Sequence, residues 1–368
     1  MPLYMDRHDI PDEITAKHVA LMHQEDLKIQ HLYGCKGMTY WCDSERHTAF
    51  CLIEAPNKAA LQDMHNHAHG SYPHEIIEVD ARIVESFLGR IEDPIKAAKE
   101  NLNIIDDPAF RAIMVLEAGD PVHSSNAEQM DLFYQKFHRS ITKTLRHFKG
   151  SIVKQNKSTY LVSFTNSTNA ILCALKIQND FKYITPKLDG PHRSLGIGIS
   201  AGVPVTGQEG IFAETIERAT QLCEVVHDTI AITEAVKNLY ENENRQAKID
   251  PNLIRTLRPK ETHFLSQLMA FCKKNWNKDH FKLAALASEL GYSKAQLYRN
   301  IKKLTGKSPN AFMREYRLHK ALELLHQHFG NIAEVAYETG FNSPAYFSKC
   351  FLETYGILPS KYAQLNEH

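Results

Sequence analysis

Apolar positions recur along this chain with two different periods, and the changes between them mark its organisation. Between residues 1 and 80, short runs at Leu3–Asp6, Gly37–Asp43, Thr48–Glu54 and Glu75–Val79 predict four strands. Helical spacing near Thr15–Gln30 and Lys58–Gly70 gives the order strand, helix, strand, strand, helix, strand. The charged stretch Ala81–Asp107 predicts a helix-rich connector. From Pro108 to Tyr240 the two periods alternate. An apolar run lies at Ile113–Leu116, helices are predicted over Asp131–Phe148 and Ala170–Phe181, a hairpin over Ser151–Phe164, and a glycine-punctuated strand over Leu195–Val205. Glu241–Glu261 is polar, is interrupted by Pro251 and Pro259, and predicts a linker. Beyond it the pattern is wholly helical.

That last segment contains an internal repeat. The run Leu283 to Tyr292 returns as Ile332 to Phe341, and Leu297, Arg299, Ile301, Gly306 and Pro309 return as Phe347, Lys349, Phe351, Gly356 and Pro359. Each copy predicts a short helix, a glycine able to take a positive φ, and a second helix whose N-cap falls on Ser293 or Ser343. Ser308 and Pro309 open a helix to about Leu325 that joins the copies. Alanines at 284, 287, 333 and 336 allow the close crossing of a helix-turn-helix. The fold class is thus multidomain, α+β then all-α. A ferredoxin-like domain spans 1–80, an α/β domain 108–240 and a double helix-turn-helix 262–368.

Charge separates these segments. The 368-residue chain has no net charge, but residues 1–80 hold 6 Lys/Arg against 13 Asp/Glu, whereas 271–320 hold 12 against 3. A polyanion therefore meets the C-terminal end. Seven scattered cysteines do not form a disulfide framework, and no signal peptide or membrane-length apolar run is visible, so the expected location is cytoplasmic.

The string Gly340-Phe341-Asn342-Ser343-Pro344-Ala345-Tyr346-Phe347-Ser348-Lys349-Cys350-Phe351, with Tyr355-Gly356 and Pro359-Ser360-Lys361-Tyr362, resembles the AraC/XylS signature. The resemblance implies a sequence-specific DNA-binding transcription regulator whose two units enter successive major-groove segments about 34 Å apart. Matching motif positions puts Ala295, Tyr298 and Arg299, then Pro344, Ala345, Tyr346 and Lys349, in the groove. Arg299 is the candidate for a guanine contact. Lys294, Lys302, Lys303 and Lys307 are expected to meet phosphates. Double-stranded DNA is the expected partner, and a homodimer the expected assembly.

Residues 108–240 resemble, in Phe148–Lys154, Tyr160–Phe164, Asn169–Gln178, Leu195–Gly202, Phe212–Leu222 and Ile230–Val236, the class III adenylate/guanylate cyclase domain. That chemistry needs two metal-holding aspartates plus Asn and Arg. The four positions hold Gly119, with Asp120 one residue off, Lys157, Glu217 and Gln221. The resemblance thus implies a degenerate cyclase-like domain kept for dimerisation or ligand sensing, and a chain that is not an enzyme. The alternative reading is a cyclase or metal-dependent enzyme fused to a DNA-binding module.

Nine of twenty histidines fall in residues 1–80. His65 and His69, spaced i, i+4, share a helix face suited to one metal ion, while His67 points away. The strings Pro2–Asp6, Phe50–Pro56, His65 to Gly70 and Ile76–Val79 resemble a small bacterial family of nickel-binding proteins. His8, His23, Cys51 and Glu54 are candidates to complete a nickel or zinc site. The combined expectation is a regulator whose head domain responds to a metal ion or small-molecule effector.

Overall fold

The computed structural model describes residues 1–368 apart from 71, 95–101, 120–126, 185–192, 226–228, 246, 279–282 and 366–368. The chain opens with β1 (Leu3–Asp9), α1 (Ala16–Ile29), β2 (Lys36–Asp43), β3 (Thr48–Glu54), α2 (Lys58–His69) and β4 (Glu75–Val79). Their sheet order is β2-β3-β1-β4, the ferredoxin-like arrangement. β1 runs antiparallel to β3 and to β4, with Asp6 opposite Cys51.

Side chains alternate across this sheet, so it has two apolar faces. Tyr4, Tyr40, Cys42 and Ile53 pack under α1 and α2, against Val19, Ala20, Leu61 and Met64. Met5, Trp41, Phe50, Leu52 and Ile77 face the other way. That second face is covered by α3 (Ala81–Leu88) and by the middle region, through Val84, Phe87, Leu88, Ile113, Val115 and Phe212. The stretch expected to be a connector is therefore a wedge in its first turns. Asp80 caps α3 by accepting from the Arg82 and Ile83 N–H groups. The Phe87 carbonyl at its far end accepts from Arg111 Nε (3.0 Å) and Ser163 Oγ (3.1 Å).

The middle region comprises β5 (Arg111–Gly119), α4 (Ala127–His147), β6 (Ser151–Gln155), β7 (Thr159–Phe164), α5 (Ser167–Ile184), β8 (Ser194–Gly202), α6 (Ala213–Val225), β9 (Ile230–Thr233), α7 (Glu234–Glu243) and β10 (Ile254–Leu257). Its sheet order is β10-β9-β8-β5-β7-β6. β8, β9 and β10 pair in parallel, the rest antiparallel. Gly198 on β8 lets α6 lie close, since a Cβ there would come within 2.0 Å of the Ala219 carbonyl oxygen.

β10 corrects the linker expectation. The four residues Ile254–Leu257 continue the sheet on β9, because each end is apolar and buried: Ile254 in the middle core and Leu257 in the next one. The helical segment then follows as α8 (Pro259–Asn275), α9 (Leu283–Glu289), α10 (Lys294–Thr305), α11 (Pro309–His326), α12 (Ile332–Glu338), α13 (Pro344–Tyr355) and α14 (Pro359–Leu365). Leu222, Val225, Ala231 and Leu257 share one core with Phe264, Leu268, Leu286, Leu297, Ile301 and Phe312. A second core, with Leu318, Val335, Phe347 and Phe351, belongs to α11–α14. No helix among the described residues is long and apolar enough to cross a membrane.

Leu257 is 1% exposed and sits where the sheet meets the helices. Leu257→Ala is expected to cost about 2–5 kcal/mol through the cavity it leaves. With Trp41 replaced by Phe, the fluorescence of Trp276 follows unfolding of the helical segment, and this transition should move to lower denaturant. An unchanged midpoint would mean that the two regions do not share a core.

Candidate DNA-reading surface and buried ligand cluster

Each helix-turn-helix is built by local rules. Ser293 Oγ accepts from the Gln296 N–H (3.2 Å), and Ser343 Oγ from the Tyr346 N–H (3.3 Å), so both reading helices start at a capped N-terminus. The preceding turns hold Gly291 at φ 71° and Gly340 at φ 74°. Ala287 and Ala336 are buried at the helix crossings, whereas Ala284 is exposed and Ala333 half-buried. On α10, Lys294, Ala295, Tyr298, Arg299, Lys302 and Lys303 are exposed. On α13, Ala345, Tyr346 and Lys349 are exposed and Pro344 half-buried.

Three of the expected DNA-contacting lysines have partners within the chain, one of them Lys349, whose Nζ lies 3.9 Å from Glu353 Oε1. Lys303 Nζ lies 2.7 Å from Glu261 Oε1, and Lys307 pairs with Glu315. Lys303 stands one position beyond Lys302, about 100° round the helix, and so turns toward α8 rather than along the reading face. Between the two units, buried Arg317 donates to the Trp276 (2.9 Å), Gly340 (2.8 Å) and Lys278 carbonyls.

The second constellation lies inside the N-terminal domain, between its sheet and its two helices. Asp6, His8, Cys51 and His65 are buried and each can offer one ligand atom, all within 4.8 Å of one another; Asp26, His65 and His69 form a second such group. Asp6 and His8 share a face of β1, and Cys51 faces them from β3. His65 Nε2 lies 2.9 Å from Asp6 Oδ2, and its Nδ1 lies 3.1 Å from Asp26 Oδ1 and 3.2 Å from His69 Nε2. The Cys51 N–H donates to Asp6 Oδ1 (3.0 Å).

Charge explains the cluster's internal balance. Burial opposes ionisation of Asp6, but His8 and His65 outweigh it and hold the carboxyl well below the usual range. Burial likewise opposes a charge on His65, yet Asp6 and Asp26 push its pKa up to about 10. Burial, reinforced by Asp6, lifts the Cys51 thiol well above its ordinary value. His65 is thus an imidazolium held between two carboxylates.

Two expected ligands stand apart. Glu54 is three residues from Cys51 on β3, an odd spacing that puts it on the opposite face of the sheet. His23 packs against the Tyr40 ring, with its Nε2 3.5 Å from Asp93 Oδ2, and one turn further along α1 Asp26 reaches His65 instead. His67 is exposed and meets the Tyr33 hydroxyl at 2.9 Å. Sequence reasoning missed Asp6 and Asp26. The available signal was an acidic residue on an otherwise buried stripe, Val19, Ala20, His23 and Asp26 on α1.

The four positions aligned with cyclase chemistry serve other ends. Gly119 ends β5, where a Cβ would press on Ser194. The Lys157 ammonium lies 5.0 Å over the Tyr134 ring. Glu217 is exposed, and buried Gln221 accepts from Ser266 Oγ (2.8 Å) at the junction with α8. Asp120 lies outside the described residues.

A pair of helix-turn-helix units with exposed reading helices defines a DNA-binding module. Residues 286–364 match the family model described as a helix-turn-helix domain, and residues 4–79 that of the nickel responsive protein SCO4226-like family. The C-terminal segment is an AraC-type domain, and the N-terminal segment a domain of the SCO4226-like kind. Among curated proteins the chain is similar to "Histidine kinase P4" of Formosa agariphila, 36% identical over 34% of this chain and 10% of that protein. It is also similar to the HTH-type transcriptional regulator MtrA of Neisseria gonorrhoeae, 35% identical over 27% of this chain and 32% of that protein. A solved structure of SCO4226 from Streptomyces coelicolor A3(2) is 32% identical over 21% of this chain and 94% of that one, with a TM-score of 0.20. The chain spans between a tenth and a half of the curated relatives named first among its matches.

The raised pKa of His65 fixes the sign of a pH effect. Its stabilisation is fully present below the unfolded value near 6.5 and is lost as pH rises through about 10. In chelator, His65→Gln should destabilise the domain by about 3–5 kcal/mol near pH 6, because two buried carboxylates lose their counterion. The gap between wild type and variant should shrink toward pH 10, read by thermal unfolding through Trp41. A gap that grows with pH would reverse the charge assignment.

Proposed function

We propose that the chain is a metal-responsive, sequence-specific transcription regulator that binds duplex DNA through α10 and α13. The observation that carries the DNA half is the doubled, capped helix-turn-helix with Tyr298, Arg299, Tyr346 and Lys349 exposed on its two reading helices. Arg299 reads a guanine edge with its planar fork, and Lys294 and Lys302 meet phosphates. The chain is also similar to the activator RhaS of Mannheimia succiniciproducens, named for activation, which supports a regulatory rather than catalytic reading.

The sensing half is supported by the donor set. Two imidazoles, a carboxylate and a thiol suit nickel or zinc, with availability deciding between them. The fit is supported by orphaned polar atoms, since His8 Nδ1 and His69 Nδ1 are buried without a hydrogen-bond partner among the described residues. Asp6, His8, Cys51 and His65 would hold the ion, with Asp26 and His69 behind His65. A bound cation would supply positive charge between carboxylates that otherwise flank the His65 imidazolium. Metal and proton therefore compete, and affinity falls with falling pH. A regulator of this kind works as a homodimer on paired half-sites, which sedimentation of the full chain would read.

Three measurements test this. The full chain should enrich specific duplexes from a random pool with steep salt dependence, and Arg299→Ala should cost about 1–3 kcal/mol and relax one base pair. Nickel and zinc calorimetry should show binding that is lost in Asp6→Asn and His8→Ala and retained in His67→Ala. Operator affinity should then differ with and without metal, because an ion that favours neither state shifts nothing. Absence of any enriched duplex would end the DNA reading. Metal binding with constant operator affinity would leave a structural ion.

A further inference from the structure

The two reading helices are anchored differently. The first unit, α9 and α10, shares its core with the middle domain through Leu222, Val225, Ala231 and Leu257. The core of the second unit contains residues of α11–α14 and their loops alone among the described residues. One side chain makes the difference specific. Arg255, on the edge strand β10, donates from Nη1 to the Leu304 carbonyl (2.6 Å) and from Nη2 to the Lys303 carbonyl (3.0 Å).

These carbonyls belong to the last turn of α10, where a helix leaves four acceptors without intrahelical donors. The partial negative charge of a helix C-terminus also favours a cation there. A planar guanidinium spanning two adjacent carbonyls fixes direction as well as position, which a lysine could not do. The Lys303–Glu261 pair (2.7 Å) adds a second tie from the same turn to α8. Glu261 Oε2 in turn accepts from the Arg258 N–H (3.1 Å), three residues beyond Arg255.

We infer that Arg255 is a positioning residue: it fixes α10 to the edge of the middle sheet and thereby sets the spacing between the two groove segments the protein reads. Among the described residues α13 packs on α11, where Arg317 donates to the Trp276 and Gly340 carbonyls rather than to the sheet. A shift of β10 therefore moves the first reading helix relative to the second, and half-site spacing is what such a shift alters. The inference rests on the DNA-binding reading above and adds to it the residue that links sheet geometry to operator geometry.

The test uses the full chain and the duplex it enriches from a random-sequence pool. Variants of that duplex lengthen or shorten the distance between the two recognised segments by one base pair. Wild type should lose about tenfold or more in affinity on either change, since one base pair rotates the segments by about 35°. Arg255→Met should narrow that penalty to about threefold or less, whereas a substitution acting through stability alone lowers affinity for all three duplexes alike. Arg255→Lys retains the charge and loses the fork, and should fall between; it serves also if Arg255→Met does not fold, as judged by far-UV circular dichroism. Unchanged spacing penalties in folded Arg255→Met, or in Arg255→Lys if Met does not fold, would overturn the inference. If wild type enriched no duplex, the DNA-binding reading would fall, and the inference with it.

Discussion

An antiparallel sheet with apolar residues on both faces must be covered twice, and this constraint shapes the N-terminal two-thirds of the molecule. The ferredoxin-like sheet covers one face with its own α1 and α2. The other, presenting Met5, Trp41, Phe50, Leu52 and Ile77, is closed by α3 and by the middle sheet. Burial on this scale contributes roughly 1.5–3 kcal/mol for each large side chain, so the two domains are held together by several such residues. The polar cluster is thereby confined to the helix-covered face, which takes Asp6 and His8 while Met5 and Arg7 point to the other. A cation that reorders the cluster acts on the same strands whose opposite faces contact the middle domain.

The chain then repeats the device at the next junction. Ile254 and Leu257, three residues apart on one short strand, belong to two different cores. α8 rests on α6 through Ser266 and Gln221, at a position aligned with a catalytic arginine in the cyclase resemblance. A side chain taken up by domain docking is no longer aimed at a substrate. The middle domain thus shares one core with the ferredoxin-like sheet and another with the first helix-turn-helix unit.

Much of this was legible in the pattern of residues. β3 and β4 fall where the alternation places them, and both reading helices begin at the serines singled out as caps. The repeat was legible because its two copies obey the same local rules of helix, positive-φ glycine and helix. What could not be read depends on distant partners. Four residues between Pro251 and Pro259 look like linker until β9 supplies their hydrogen bonds. β1 runs on to Asp9 because Arg7, His8 and Asp9 find partners in Phe50, Ala49 and Thr48 of β3. Asp6 and Asp26 escaped because an acidic residue reads as solvated until a histidine from another element is seen beside it. Glu54 and Cys51 looked alike as candidates until strand parity separated them.

The wedge formed by α3 also bears on synthesis. A chain emerging N-terminus first completes its first four strands by Val79, yet no sheet residue reaches their second face until Ile113 and Val115 of β5 have been made. During that interval only Val84, Phe87 and Leu88, a few residues downstream, are at hand to shield Trp41 and Phe50. A nascent domain with an uncovered apolar sheet is prone to wrong association. α3, placed immediately after β4 and capped by Asp80 from within its own turn, can fold against that face without waiting for the rest of the chain.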